Sequence, residues 1–230
     1  MGLDYTTKMS YRWSDIERAF IYFGNMVMSG NQKIVFPFDE RKTLAVAQHL
    51  LKRLGNKTNY MYLLKLIFFA DRYHIRKYLR PATGDRYFAM HFGSVASYLY
   101  DLFKGQVTSP IIVPIGNFTV ELREEDASLE KELSPSDIEA IDFSMSNFAS
   151  RGEFDLSKIS HAYPEWKRRN EEGKLVLNDM SYLDFFDNPD LNDPNLAPLS
   201  NQDPFQEDLS SVENSKEVFK ANKDLEKLWY

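Results

Sequence analysis

Residues 59–105 read NYMYLLKLIFFADRYHIRKYLRPATGDRYFAMHFGSVASYLYDLFKG, and the fold of the whole chain depends on this stretch. Its first half, up to Leu79, is apolar or aromatic around most of a helical circumference. A helix that is apolar nearly all round is buried among other elements. Lys65 and Asp71 interrupt the apolar series, which argues against a membrane span. The sequence therefore predicts a long buried helix at the centre of a soluble domain.

Three cations of this helix are spaced seven and four residues apart: Lys65, Arg72 and Arg76. Residues at these spacings share one narrow face of a helix. We therefore expect this face to be the solvent-exposed stripe of an otherwise buried helix.

The composition limits the classes of protein to consider. The 230 residues are 43% hydrophobic and 14% aromatic, enough for a substantial core in one domain with appendages. The net charge of -6 argues against general nucleic-acid binding, which needs clustered positive charge. Without cysteine there is no disulfide scaffold, zinc thiolate site or cysteine nucleophile. No apolar leader opens the sequence, so we expect a cytoplasmic protein without a membrane partner.

Capping residues place the first two helices. The capping box of Ser14 and Glu17 predicts an amphipathic helix to about Met28. Asp39 is the expected N-cap of a second helix, which Gly55 ends. The long apolar helix follows after a short turn, and the proline in the motif RPATG at 80–84 breaks it.

The second half of the chain alternates short strands with helices. Ser94 is expected to cap a helix closed by Gly105, and Ser134 with Pro135 marks the start of another. Further short helical turns are expected at 155–160, 163–166 and 181–186, and strands at 33–38, 87–92, 107–113 and 117–122. The expected class is α+β and predominantly α-helical, with helices packed around the central apolar helix and a small antiparallel sheet.

The sequence divides into three segments. Residues 1–38 form an N-terminal helical extension, and residues 39–187 form the main domain. Residues 188–230 begin with prolines among Asn, Asp and Ser, a composition typical of a linker. The following helix or tail has few apolar residues, so we expect it to fold only against the domain or a partner.

Two separated blocks of the main domain resemble the Panacea domain, the SocA-like antitoxin domain also found in phage-associated proteins. The first block is LLKLIFFADRYHIRKYLRPATGDRYFAMHFGSVASYLYDLF at 63–103. The second comprises LSPSDIEAIDF at 133–143 and LSKISHAYPEWKRR at 156–169. The resemblance extends over roughly 39–187. Ser94 is one departure, because the family usually has proline after the preceding glycine.

The resemblance implies a mostly helical, non-enzymatic domain without a cofactor. It implies an antitoxin of a bacterial or prophage toxin-antitoxin system, which neutralises a cognate protein toxin encoded by an adjacent gene through direct protein-protein binding. Two alternatives remain open under the same resemblance. One is a proteolytic adaptor that delivers the toxin to a protease, and the other is a DNA-binding autoregulator.

The densest basic run of the chain consists of Arg72, Arg76, Lys77, Arg80 and Arg86. One interpretation is a solvated helix face with salt bridges to neighbouring aspartates. The other is a docking surface for an acidic patch of the toxin, since complementary charge speeds and orients docking. On the second interpretation the candidate partner-binding residues are Arg72, Arg76, Arg80 and Arg86.

Trp166 completes the set of candidate partner-binding residues, because tryptophan is enriched at interaction hot spots. It lies in the motif HAYPEW, which belongs to the second resembling block. The alternative is that Trp166 packs over the domain while His161 fixes the turn by hydrogen bonding.

The sequence offers no catalytic or metal-binding residues that we would select. Asp71 and His74 lie at i, i+3, and we expect a structural hydrogen-bonded pair, since no nucleophile is beside them in sequence. The four histidines lack metal-binding spacing. A helix-turn-helix at 39–79 is disfavoured because its second helix offers apolar side chains instead of polar ones that could read bases. Nucleic acid is thus an improbable partner.

Overall fold

The computed structural model describes residues 36–170 and 179–226. Its α-helices are α1 (Glu40–Arg53), α2 (Tyr60–Tyr78), α3 (Ser97–Phe103), α4 (Pro135–Phe148), α5 (Glu153–Ala162), α6 (Pro164–Lys167) and α7 (Leu209–Glu226). Its strands are β1 (Lys57–Asn59), β2 (Tyr87–Met90), β3 (Gly93–Ala96), β4 (Ile112–Pro114) and β5 (Thr119–Leu122). Single 3-10 turns lie at Leu129–Glu132, Asp184–Phe186 and Pro194–Leu199.

The predicted N-terminal helix at 14–28 lies outside the described residues, as does the first half of the strand predicted at 33–38. Residues 36–38 are described and have no regular secondary structure. The extension at 1–38 and the boundaries of the three segments therefore stay predictions.

Local capping places the helices where the sequence predicts them. Asp39 caps α1 by accepting a hydrogen bond from the backbone N–H of Lys42, and the Asn59 side chain caps α2 in the same way. Ser134 and Asp137 form a reciprocal capping box at the start of α4, with proline in the first turn. At its other end α2 stops at Leu79, which adopts a left-handed conformation with φ of 58° directly before Arg80 and Pro81.

Helix α2 buries most of its residues, including the full aromatic run of its middle turns. It packs along α4, where the rings of Phe69 and Phe148 stack with centroids 3.9 Å apart. The Ser144 hydroxyl of α4 donates to the carbonyl of Leu66 on α2 at 2.7 Å, which links a side chain of one helix to the backbone of the other.

Two small antiparallel sheets flank the helices. The first has the strand order β1-β5-β4, so the strand just before α2 pairs with Thr119–Leu122. The second is the β2-β3 hairpin, in which Tyr87 lies opposite Ala96. Since helices dominate and both sheets are small and antiparallel, the predicted α+β, predominantly α-helical class is confirmed.

The helix predicted to start at Ser94 begins three residues later, and this prediction was wrong. Ser94 lies in β3, and its hydroxyl is buried without a hydrogen-bond partner in the described part of the chain. The first turn of α3 is capped instead by the carboxylate of Asp85, which accepts from the N–H groups of Tyr98 and Leu99 at 3.1 and 3.2 Å. A cap supplied from another segment leaves no signal beside the helix itself.

The segment that the sequence predicts to be a linker is packed against the domain. Leu196, Leu199 and Phe205 are buried, and so are Val212 and Phe219 of α7. Few side chains anchor this region, and their exposure ranges from 0% to 8%. It therefore contributes to the hydrophobic core, which a solvated linker would not do.

Candidate partner-binding site

The three cations predicted to form a solvent-exposed stripe on α2 are buried instead. Lys65 and Arg72 are 0% exposed and Arg76 is 5% exposed. Lys65 donates to the carbonyl of Ser94 at 2.6 Å, and burial lowers the pKa of its amine to about 7. The stripe prediction was wrong because other parts of the chain cover this face of α2 and supply its hydrogen-bond acceptors.

Arg72 forms an ion pair with Glu165 of α6. Its Nη1 lies 2.5 Å from the carboxylate Oε1, and both side chains are 0% exposed. Burial raises the pKa of Glu165, and the positive charge of Arg72 opposes this rise. A buried pair of this kind is intolerant of losing one partner, because the other charge is then left uncompensated.

Arg76 binds the backbone of the C-terminal region. Its guanidinium donates to the carbonyls of Phe185, Phe186 and Phe205 and to the side-chain oxygen of Asn188. Both guanidinium groups donate to other parts of the chain in this conformation, and a contact of Arg72 or Arg76 with a partner stays a prediction.

Trp166 also lies within the domain surface instead of projecting from it. It is 8% exposed, and its indole N–H donates to the carbonyl of Met90 at 3.0 Å. The ring of His161 lies against it with centroids 4.0 Å apart. The geometry favours the packing interpretation of Trp166 over the hot-spot interpretation.

The expected pair of Asp71 and His74 does not form. Asp71 accepts hydrogen bonds from the backbone N–H groups of Ala82 and Thr83 and from the hydroxyl of Tyr87. Asp71 thereby organises the connector after α2. The i, i+3 spacing of Asp71 and His74 in the sequence does not indicate this role.

His74 instead joins the end of α2 to the start of α4. Its Nδ1 lies 2.5 Å from the carbonyl of Arg80, so this nitrogen carries the proton. Its Nε2 lies 3.0 Å from Ser136 Oγ and 3.2 Å from a carboxylate oxygen of Asp137. Burial lowers the pKa of His74, and Asp137 opposes that shift. Arg80 and Ser134 contact the same Ser136 hydroxyl, so the cluster fixes the first turn of α4.

Arg80 and Arg86 are the two predicted partner-binding residues that remain at the surface. The side chain of Arg80 is 43% exposed, and its guanidinium lies near Ser136 and Asp137. Arg86 is similarly exposed but forms an ion pair with Asp179 and lies over the ring of Phe88.

A groove of about 500 Å³ opens beside Arg80. Its lining combines the exposed ring of Phe38 with three cations and two carboxylates: Arg41, Lys42, Arg80, Asp39 and Glu40. Arg41 contacts Glu132, and Lys42 contacts the buried carboxylate of Asp137. The lining carries one more cation than anions, so an exposed apolar ring in this setting is suited to a protein surface that offers a hydrophobic residue beside an acidic one.

Arg41 and Lys42 escaped the sequence analysis because they belong to a different helix from the basic run. Arg41 and Lys42 lie about 40 residues before Arg80 in the sequence, and the fold brings all three side chains to one groove. The sequence does show these two cations shortly after the N-cap of α1. Basic residues in the first turn of a helix do not by themselves indicate a partner-binding site, however.

Two further searches of the described residues found nothing. Among them, no group of three or more His, Asp or Glu side chains could hold a metal ion. In the same part of the chain, no helix has the length and apolar character needed to cross a membrane.

Comparison with known proteins identifies the core of this fold. Searches of curated proteins and of solved structures returned no match. A family model matches residues 63–167, and its description is antitoxin SocA-like, Panacea domain. The matched residues run from α2 to α6 and contain both blocks that carry the resemblance seen in the sequence. Residues 63–167 of this chain are therefore similar to the Panacea domain of SocA-like antitoxins.

Proposed function

We propose that this protein is an antitoxin that acts in the cytoplasm and neutralises a protein toxin, encoded by an adjacent gene, through direct binding. The observation that carries the proposal is the match of residues 63–167 to the SocA-like antitoxin family. The described residues add a preformed surface and no constellation that we would assign to catalysis, so binding is the activity that the geometry supports best.

The groove beside Arg80 is the proposed docking face for the toxin. Its three cations come from α1 and from the connector, both of which are held in place by buried hydrogen bonds of Thr43 and Asp71. A rim whose backbone is held in this way costs little ordering entropy on binding. The rim also favours an acidic partner over a basic one.

The first test is functional. The product of the adjacent gene is expressed alone and together with this protein, and growth and co-purification are measured. We expect the toxin alone to stop growth, and co-expression to restore growth and yield a complex. If the toxin is active but the two proteins neither rescue growth nor co-purify, the proposal is refuted.

The second test locates the docking face. Arg80→Ala is compared with Lys57→Ala, an exposed lysine before the opposite end of α2, roughly 27 Å away at ~1.5 Å per helical residue. We expect Arg80→Ala to weaken toxin binding about tenfold or more, as for a contact worth at least ~1.4 kcal/mol. We expect Lys57→Ala to bind as the unaltered protein does. Equal affinities of the two variants would move the docking face elsewhere without affecting the first test.

The proteolytic-adaptor alternative depends on the C-terminal region as a protease handle. The described part of that region, up to residue 226, is packed through Val212 and Phe219. Direct neutralisation therefore has the better support. Toxin levels that fall in the presence of this protein only when a cellular protease is active would favour the adaptor.

A further inference from the structure

The strongest unexplained feature outside the proposed docking face is the way in which residues 203–208 are held. This DPF segment has the sequence DPFQED, and it lies beyond the residues that match the family model. Every residue that receives its phenylalanine lies within the matched domain. The ring of Phe205 contacts Phe143, Phe148 and Tyr163, with centroids 5.1 to 5.7 Å apart.

Polar contacts also hold the DPF segment, both from the matched domain and from Asn188 outside it, whose side chain bonds to the backbone of Glu207. The Arg72 guanidinium lies 5.2 Å over the Phe205 ring, and Arg76 donates to the Phe205 carbonyl at 2.9 Å. Tyr163 donates its hydroxyl to the Asp203 carboxylate at 3.0 Å, and Glu207 lies 3.5 Å from Arg76 Nε. We call the site formed by Arg72, Arg76, Phe143, Phe148 and Tyr163 the DPF groove.

These contacts use one aromatic ring, one main-chain carbonyl and carboxylates, all of which a segment of another protein can supply. Recognition of a short acidic segment by clustered arginines with one aromatic anchor is a common mode of peptide binding. The charge of Arg72 is already paired with Glu165, so Arg76 is the cation that matches an acidic ligand in charge.

The chain's own segment leaves part of the groove unused. Within the described residues, Nε of Arg72 and Nε of Arg76 are buried without hydrogen-bond partners. A cleft of about 170 Å³ remains beside the segment, lined in part by Tyr73, Arg76 and Lys77. Buried polar atoms without partners are uncommon in native structures, and the Glu207 carboxylate, 3.5 Å from Arg76 Nε, shows that the groove places an acidic group of its ligand at this nitrogen.

We propose that the DPF groove is a peptide-binding site for an acidic segment of a partner protein that contains one phenylalanine, and that residues 203–208 occupy it in cis when the partner is absent. The segment is anchored on both sides, by the buried Leu199 before it and Val212 after it. Such tethering gives it an effective concentration on the order of millimolar, so a partner must bind tightly or release the segment. This inference is independent of the proposed antitoxin function and of the groove beside Arg80.

The test uses the full chain and a fluorescent peptide with the sequence of residues 200–208, SNQDPFQED. Its binding to the unaltered protein and to Phe205→Ala is measured by fluorescence anisotropy, with circular dichroism as the folding control. We expect the peptide to bind Phe205→Ala at least about tenfold more tightly, because the groove is vacated and competition is lost. Matched control peptides carry Ala in place of Phe, or Asn and Gln in place of the three acids, and both should bind more weakly.

If Phe205→Ala does not fold, the comparison is made with Glu207→Lys, which places a positive charge beside Arg76 without removing a core side chain. A folded variant that binds the peptide no more tightly than the unaltered protein overturns the proposal. Equal binding of the peptide and its Ala control also overturns it, because the phenylalanine would then not be recognised. No toxin enters the assay, so its result says nothing against the proposed function.

Discussion

Arg72 and Arg80 lie two helical turns apart in sequence, yet they occupy opposite environments. Arg72 is enclosed with Glu165, while Arg80 follows the end of α2 and faces solvent beside a groove. Both belong to the same basic run of the sequence. The difference arises because distant segments cover α2 and stop at its end. A basic run in a sequence therefore indicates an exposed surface only where no other part of the chain covers it and supplies hydrogen-bond acceptors.

The largest loss of stability should come from substituting Arg72, the buried member of this pair. Arg72→Ala leaves the buried carboxylate of Glu165 without its ion-pair partner, and we expect the free energy of unfolding in urea to fall by about 3–5 kcal/mol. The double variant Arg72→Met with Glu165→Leu removes both charges and should recover most of that loss. A loss below about 1 kcal/mol for Arg72→Ala would show that the arginine is not buried in solution.

Lys65 allows a second test of the buried side of this comparison. Unlike Arg72, it forms no ion pair with the described residues. Burial lowers the pKa of its amine in the folded protein to about 7, below the ordinary value near 10.5. Between these pH values the unfolded chain binds more protons, so stability rises with pH there. We expect this contribution to add roughly 2 kcal/mol between pH 7 and pH 9.

The matched variant is Lys65→Met, which keeps the length of the side chain and removes the titrating group. Unfolding free energies measured from pH 7 to pH 9 should rise less in the variant than in the unaltered protein. Parallel pH profiles would contradict the burial of this amine.

A smaller effect is expected on the exposed side, where α4 begins next to Arg80. Ser134→Ala removes the N-cap that accepts from the backbone of Asp137, and we expect a loss of about 1 kcal/mol in unfolding free energy. Ser150→Ala, an exposed serine just beyond the other end of α4, is the control and should change stability by less than ~0.5 kcal/mol. Equal losses would mean that the capping box contributes nothing specific.

The smallest effect should come from Arg80 itself. Arg80→Ala removes a partly exposed side chain whose contacts are long, at 3.2 Å to Ser136 Oγ and 3.9 Å to Asp137. We expect the unfolding free energy to stay within about 0.5 kcal/mol of the unaltered protein. Thermal and urea unfolding measure this directly. A loss comparable with that of Arg72→Ala would erase the distinction between the two arginines.

The sequence predicted the parts of the fold that depend on neighbouring residues. Asp39 and Ser134 act on amides of their own helices, so the starts of α1 and α4 could be located from the sequence alone. The apolar circumference of α2 indicated a buried helix for the same reason. The family resemblance then indicated the class of function. The family model that matches residues 63–167 agrees with that resemblance.

The sequence could not predict contacts whose two members lie far apart along the chain. Glu165 lies 93 residues from Arg72, and the Phe205 carbonyl lies 129 residues from Arg76. Helical spacing placed these cations correctly on one face but assigned that face to solvent. The cap of α3 was missed for a similar reason, because Asp85 reaches it across the β2-β3 hairpin.

The separation of 129 residues between Arg76 and its carbonyl acceptor also has a consequence for biosynthesis. During translation α2 leaves the ribosome long before residues 185–207. The guanidinium groups of α2 therefore stay hydrated until those residues have emerged. The native enclosure of these groups is completed only when the C-terminal region has emerged, although domains usually begin to fold from the N-terminal side. Nascent chains stalled before residue 185 should therefore expose α2 to proteases, and chains stalled well beyond residue 207 should protect it.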